Sequence, residues 1–397
     1  MDKLEKPISV VMLTTSFPLF GNKTSGPFVL RLIENLPPNV KVEVLTPCVE
    51  KSIEGLESVS YRVRCFRYAP WRLQTLAHRP GGIPVAVRRR KIAWLLLPSL
   101  FLSMFWYCLC ASRRAQLIHA NWSVNGFVAG FAGLFTRTPV LTTLRGDDVN
   151  KSEKSSVFRF ILRGCLLFCD RVVVVGENVG IRAASILKLP RSYFEVVPNG
   201  VSKEYLEIPL PHPGRVLHLV TIGSLIPRKG VDTIIRALAL LPKEVEFVFT
   251  VVGDGPERRS LELLVKENGL SDNVVFSGSL EPEAVPSILA LNQVFIFASR
   301  AEGRSNSLIE ALAAGRAVIA SRIPENEELV DNEKNGFLFD NAEELKGLLL
   351  RLSSHPEMIR LLGQKGRDSI LAKNLAWEST CRRYAEIYAD MIANRNR

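Results

Sequence analysis

The sequence predicts an α/β protein built from two doubly wound domains. Two observations carry this. Apolar runs of about five residues alternate with helical patterns, as buried parallel strands require. The alternation also restarts after a proline-rich joint, Pro209-Leu-Pro-His-Pro-Gly214. The chain has 397 residues, enough for more than one sizeable core. The expected boundaries are 1–208 and 209–376, with a last helix, 377–397, rejoining the first domain. Two such domains would face each other across a cleft, with ligands at the carboxyl ends of the strands.

The first half opens with an apolar strand, Ile8–Thr15. The loop Ser16–Gly26 follows, then a helical pattern, Phe28–Leu36, and a strand, Val40–Leu45. This β–loop–α–β start is typical of a doubly wound sheet. Further strands are expected at Leu117–Ala120, Val140–Leu144 and Arg171–Val175, and Leu162–Phe168 reads as part of a helix. Phe194–Val197 leads into Pro198-Asn199-Gly200, a turn signal. In the second half, strands are expected at Leu217–Ile222, Glu246–Val252, Asn273–Phe276, Val294–Ala298 and Ala317–Ala320. Helices are expected at Val231–Leu241, Arg258–Asn268, Glu283–Leu291, Ser307–Ala314 and Trp377–Ala393.

Composition excludes long disorder, collagen-like repeats and a small disulfide scaffold: 47% of residues are hydrophobic and 23% charged. The net charge is +11, unevenly distributed. Residues 1–210 hold 28 Lys and Arg against 15 Asp and Glu, whereas the rest of the chain is slightly acidic. No acidic residue occurs between Glu57 and Asp147, where 13 basic residues fall. A one-signed stretch points to an anionic partner: a membrane surface, a nucleic acid or a phosphorylated substrate. No nucleic-acid reader motif accompanies it, so a nucleic-acid partner is not expected.

Within that stretch, Ile92–Ala111 is uncharged, with Arg88, Arg89, Arg90 and Lys91 before it and Arg113 and Arg114 after it. About 20 such residues suffice to span a bilayer. Spanning, core and interfacial readings all fit the composition. A spanning helix would put two parts of one domain in different compartments. Cations on both flanks also give no inside–outside asymmetry. The favoured reading is a partly buried helix that docks on anionic lipid. The charged start Met1–Lys6 leads straight into a strand-like run, and no secretory signal is read there. The seven cysteines show no C-x-x-C pair, so free thiols in a reducing compartment are expected.

Three loops carry candidate chemistry. After the strand Val294–Ala298 comes Ser299-Arg-Ala-Glu302-Gly-Arg-Ser-Asn-Ser-Leu-Ile-Glu310, which opens a helix near Asn306. Backbone N–H groups of Ser305, Asn306 and Ser307 at that helix start favour a phosphate. Glu310 shares a helix face with Asn306, where its carboxylate suits a ribose diol. Glu302 stands at the strand end, where it could meet a sugar. The alternative is two ordinary glutamates, one favoured only by the helix dipole. The second loop, Gly223-Ser-Leu-Ile-Pro-Arg228-Lys229-Gly230, sets two adjacent cations beside flexible backbone, which suits a diphosphate. The third, Gly21–Gly26, holds the equivalent place in the first half. It fits neither the dinucleotide fingerprint nor the Walker loop. No metal-ligand cluster is evident, and no cofactor is expected.

Together these residues resemble the family-4 retaining glycosyltransferases, whose two Rossmann-like domains form the GT-B arrangement. The matching pieces are Ser25-Gly26, Pro198-Asn199-Gly200-Val201, Arg228-Lys229-Gly230, Val252-Gly-Asp-Gly-Pro256, Val275-Phe-Ser-Gly278, Asn335-Gly336 and the E-x7-E pair Glu302 and Glu310. The resemblance implies that Arg228 and Lys229 hold the donor diphosphate and stabilise it as leaving group. Ser305, Asn306 and Ser307 would add backbone donors, Glu310 would hold the ribose and Glu302 the transferred sugar. Gly26 and Gly223 would line the donor site, and Phe276 and Gly278 would lie near the base. His119-Ala-Asn121-Trp122 and Leu144-Arg145-Gly-Asp147-Asp148 look like two acceptor-side loops. His119 itself reads as a satisfied strand residue.

The sequence departs from the family at several places. Asn121 and Arg145 stand where His is common, Ser224 where Arg is common, Gln293 for Asp and Ala317 for Pro. The implied activity is retaining transfer from a nucleotide sugar to a lipid-linked or polysaccharide acceptor, at the cytoplasmic membrane face and without a bound metal. The departures keep a second reading open, a non-catalytic nucleotide-sugar-binding or membrane scaffold protein.

Overall fold

The computed structural model describes residues 7–19, 25–48, 60–78, 83, 86, 87 and 91–395. Met1–Lys6, residues 20–24 of the first glycine loop and Arg88–Arg90 lie outside the described residues. The chain divides into two compact units: residues 1–199 with 377–397, and residues 200–376.

The first unit is a seven-stranded, all-parallel sheet. Its strands are β1 (Ile8–Leu13), β2 (Val40–Pro47), β3 (Tyr61–Phe66), β4 (Leu117–Asn121), β5 (Val140–Leu144), β6 (Arg171–Val174) and β7 (Glu195–Val196), in the order β3-β2-β1-β4-β5-β6-β7. This is the Rossmann order, and its reversal falls between β1 and β4. Helices cover both faces: α1 (Pro27–Glu34), α2 (Leu97–Ser112), α3 (Ser123–Thr136), α4 (Asp147–Lys154), α5 (Ser156–Phe168) and α6 (Glu177–Leu187). One apolar layer gathers α2, α3, α5 and α6 residues such as Met104, Ala129, Leu162 and Ala183. The opposite layer joins Val29, Leu32 and Ile33 of α1 to Trp377, Tyr384 and Tyr388 of the C-terminal helix.

Apolar β-rich runs make the central strands, and every residue of β4 and β5 is buried. The edge strand β3, YRVRCF, is different: charged and apolar side chains alternate along it. The 91–112 segment begins as a 3-10 turn, Lys91–Leu96, and becomes α-helical at Leu97. Pro98 explains the change, because it lacks the N–H that a preceding helical turn would need. Leu100, Met104, Cys108 and Ala111 form the buried face of α2.

The second unit repeats the design with six parallel strands. They are β8 (Leu217–Ile222), β9 (Phe247–Val252), β10 (Val274–Gly278), β11 (Val294–Phe297), β12 (Ala317–Ser321) and β13 (Phe337–Phe339), in the order β10-β9-β8-β11-β12-β13. Its main helices are α7 (Val231–Ala239), α8 (Arg258–Glu267), α9 (Val285–Leu291), α10 (Asn306–Ala313), α11 (Ala342–Ser354) and α12 (Glu357–Ala372). The last helix of the chain, α13 (Trp377–Arg395), belongs to the first unit.

The proline-rich segment 209–214, read from sequence as the joint, lies inside this second unit. Val201, Tyr205 and Ile208 precede it and are buried with Leu308 and Leu312 of α10, which draws residues 200–208 into the same core. Arg316, almost fully buried, ties the segment down by donating to the carbonyls of Pro209, Leu289 and Asn292. All seven cysteines are free thiols, five of them buried.

Candidate active site

In the second unit the sheet order reverses between β8 and β11. Loops at the carboxyl ends of those two strands therefore diverge and leave room for a ligand. The β8 loop carries Gly223, Arg228 and Lys229, and the β11 loop carries Ser299 and Glu302. The structure brings these side chains into contact. Lys229 Nζ donates to Glu302 Oε1 at 2.6 Å, and Ser299 Oγ donates to the same oxygen at 2.6 Å. Arg228 lies 3.6 Å from Glu302 Oε2 and also donates to the Ala301 carbonyl at 2.8 Å. The Lys229 ammonium rests 5.0 Å from the centre of the Phe297 ring. Glu302 is buried. Burial pushes its carboxyl pKa up, but Lys229 and Arg228 outweigh that and hold it below the ordinary value.

Glycines set the backbone around this cluster. Gly230 has φ +64°, and a Cβ there would meet the Ala298 carbonyl oxygen at 2.1 Å. Gly253 has φ +138° and presses on the Gly223 carbonyl, where a Cβ would come within 1.9 Å. The Gly253 N–H donates to the Gly278 carbonyl at 2.8 Å, so Gly278, Gly253, Gly223 and Lys229 form one continuous wall. Phe276 packs partly against the core of the unit, while Val275 beside it is exposed.

The β11 loop then runs into α10. Ser305 caps that helix, its hydroxyl accepting from the Leu308 N–H and lying 3.2 Å from the Ser307 hydroxyl. Asn306 and Ser307 supply the first two N–H groups of the helix, which have no acceptor within it. Glu310 follows Asn306 by four residues on the same face. Two hydroxyls, the first N–H groups of a helix and a carboxylate thus stand along one loop and the start of α10.

The first unit holds a separate polar cluster at its own sheet reversal. Arg145 follows β5 and is buried. It donates to Asn121 Oδ1 through Nε at 3.0 Å and Nη2 at 2.6 Å, and to Asn199 Oδ1 through Nη1 at 2.8 Å. Its guanidinium lies 4.2 Å from the centre of the ring of Phe28, the second residue of α1 and two beyond Gly26. Burial lowers the Arg145 pKa to about 10, which leaves it charged. Gly26 adopts φ +67° with the Ser16 carbonyl against its Cα. Trp122, next to Asn121, is held at φ +69°, a costly backbone for a bulky residue.

Asp147 and Asp148 open α4. Asp147 pairs with Lys151, whereas the buried Asp148 carboxylate accepts from the N–H groups of Gly146, Val149 and Ser123. Burial is the largest influence on Asp148 and raises its pKa. His119 is fully buried between the Tyr388 and Thr143 hydroxyls, at 2.7 and 2.8 Å. Among the described residues, no three His, Cys, Asp or Glu side chains group as metal ligands.

Sequence patterns alone do not single out Ser299, Phe297 or Phe28 for these clusters. Asn199 is visible only as part of a turn signal. Each acts through a tertiary contact, which local spacing does not encode.

The comparisons with known proteins agree with this architecture. Residues 27–205 match the model described as Glycosyltransferase Family 4, and residues 206–369 the one described as Glycosyl transferases group 1. The two matches run without a gap over most of the chain. The chain belongs to the family-4, group-1 glycosyltransferases. This glycosyltransferase is 27% identical over 286 residues to an uncharacterized glycosyltransferase of Methanocaldococcus jannaschii, covering 70% of the chain and 77% of the relative. It is also 27% identical over 269 residues to a GDP-mannose-dependent alpha-(1-6)-phosphatidylinositol monomannoside mannosyltransferase of Mycobacterium tuberculosis, covering 62% of the chain and 68% of the relative. Among solved structures it resembles Anabaena HepE in complex with UDP and glucose. The TM-score is 0.75 at 18% identity, over 96% of this chain and all of the other. That likeness places the glycosyltransferase in the GT-B fold class, with its two Rossmann-like units.

Proposed function

We propose that this glycosyltransferase moves a hexose from a nucleoside-diphosphate sugar to a lipid-linked or polysaccharide acceptor, with retention, at the cytoplasmic membrane face. The observation that carries the donor half is the contact of Arg228 and Lys229 with Glu302, one loop before the α10 start. Names of relatives support the substrate class: one uses GDP-mannose on a phosphatidylinositol mannoside, and a structural neighbour binds UDP and glucose.

In this reading Arg228 and Lys229 neutralise the diphosphate as the anomeric C–O bond breaks. The first N–H groups of α10 add fixed positive potential at the same phosphate. Glu310 accepts from the ribose hydroxyls, and Glu302 orients the hydroxyls of the transferred sugar. The acceptor oxygen then attacks from the face the diphosphate leaves, and the acceptor proton passes to the departing phosphate oxygen. Preorganised charge at the leaving group is the main contribution of the protein. Arg145, Asn121, Asp147 and Asp148 shape the acceptor side in the first unit.

Transfer assays with a panel of nucleotide sugars and a membrane-lipid extract test this. Lys229→Ala and Glu310→Ala should abolish transfer, and full activity in both variants would remove the proposal.

A further inference from the structure

Helices α2, α3 and α5 pack side by side on one face of the first unit's sheet. Glycines let α3 and α5 approach closely. A Cβ on Gly130 would sit 2.7 Å from Phe168 Cβ, and one on Gly164 would meet the Phe127 ring at 2.3 Å. Aromatic rings then run without interruption across all three helices. Phe105 of α2 lies 5.4 Å from Phe131 of α3, Phe131 lies 6.0 Å from Phe168 of α5, and Phe127 lies 6.3 Å from Phe160.

The outer side of this layer is apolar and uncovered. Leu102 and Trp106 on α2, Leu134 and Phe135 on α3, and Phe160 and Leu167 on α5 are each 57–77% exposed. Scattered apolar residues on a surface need no explanation, but a contiguous patch on neighbouring helices does. The three helices contain no Asp or Glu. Arg113 and Arg114 end α2, Arg137 ends α3, and Arg163 stands between Phe160 and Leu167 on α5. Long cationic side chains among apolar ones lie flat on an apolar layer and raise their charge to a phosphate plane.

We propose that this three-helix face seats in the interface of an anionic lipid bilayer, with α3 and α5 contributing alongside α2. The inference rests on the membrane location proposed above and says which surface provides it. Residues 93–112 are long and apolar enough to cross a membrane by themselves. Yet β3 before them and β4 after them belong to one sheet, and Leu100, Met104 and Cys108 are part of its core. The segment therefore lies along the bilayer surface. A second copy of the chain is the less suitable occupant, because two such faces pressed together would oppose their own arginine rims.

The test is co-sedimentation of the full chain with phosphatidylcholine vesicles, with and without phosphatidylglycerol. Binding is expected only with the anionic lipid, and it should weaken as salt rises. Phe160→Ser with Leu167→Ser on α5 should weaken it about tenfold or more, as should Leu102→Ser with Trp106→Ser on α2. These side chains are exposed and lie outside both polar clusters, so donor binding should be unchanged.

If the parent binds no vesicles, the membrane location itself fails. If the parent binds and the α5 pair binds equally well, the location stands and this face is overturned. Light scattering without lipid supplies the other check: a parent dimer that the α5 pair converts to monomer would assign the face to a second copy. As an independent readout, brominated lipids should quench the fluorescence of Trp106 in the bound protein. Unquenched Trp106 would also overturn the proposal.

Discussion

Lys229 and Glu302 form a partly buried ion pair at 2.6 Å, with a serine hydroxyl on the same carboxylate oxygen. The pair is unlike a surface salt bridge, because the Lys229 and Glu302 side chains are only 18% and 9% exposed. Taking one partner away leaves the other charge buried, which is costly. Lys229 is therefore held in place before any ligand arrives, and Glu302 stays ionised.

Glu302→Gln separates binding from chemistry. The amide keeps the shape and a partner for Ser299, and it releases Lys229 from its counter-charge. Transfer should fall about 100-fold or more, while the Kd for a nucleoside diphosphate stays within a few-fold or tightens. Isothermal titration beside a transfer assay checks both. A loss of nucleotide affinity matching the loss of rate would reassign Glu302 to donor binding.

Two glycines of the loop after β8 should behave differently. At Gly230 a methyl group would clash with the Ala298 carbonyl and the backbone has positive φ, so Gly230→Ala should cost about 3 kcal/mol or more. At Gly223 a Cβ would have only the Lys229 side chain among its nearest neighbours, at an ordinary 3.6 Å or more. Gly223→Ala should therefore melt near the parent temperature yet bind a nucleoside diphosphate about tenfold more weakly, because the methyl group occupies the space beside the lysine. Thermal unfolding and titration of the two variants distinguish a structural glycine from a site glycine.

How far these features are legible in sequence depends on how local they are. The five-residue apolar runs of β8, β11 and β12 announce a buried parallel sheet, and the loops after β8 and β11 follow from it. Glu302 and the adjacent cations can therefore be placed at strand ends, and Glu310 in the helix that follows, without coordinates. The edge strand β3 is less visible, since Arg62 and Arg64 break its apolar run. Helix α3 escapes the pattern as well. Its glycines at 126, 130 and 133 serve close packing on α5 and β5, and they dilute the helical signal. Contacts such as Arg145 with Asn199, 54 residues apart, arise only when the sheet assembles.

Arg145 provides a test of the first unit. Its fork bridges Asn121 and Asn199 while its plane lies over Phe28. A lysine there would keep the charge, but it cannot span both amides or match the stacking. Arg145→Lys should destabilise the unit by about 3 kcal/mol, through lost charged hydrogen bonds and buried amides left without partners. Denaturant unfolding with an unchanged m-value would locate the effect in the folded state. A change under about 0.5 kcal/mol would mean that the bridge is structurally idle.

His119 gives a pH signature with a defined sign. Burial, aided by the nearby Arg145 charge, lowers its pKa to about 3 from an ordinary 6.5. Between those values the unfolded chain binds a proton at this site and the folded chain does not, so stability rises with pH there. The contribution is complete above about pH 6.5 and is lost as the pH falls toward 3, by up to about 1.4 kcal/mol for each unit. His78, lowered to about 4 by burial, adds a second loss of the same sign over a narrower window. Replacing His119 with Gln keeps a side chain able to reach the Thr143 or Tyr388 hydroxyl but removes the titration. The slope of unfolding free energy between pH 6 and pH 4 should then be shallower in His119→Gln than in the parent. Equal slopes would show that the imidazole takes up its proton without leaving the folded core.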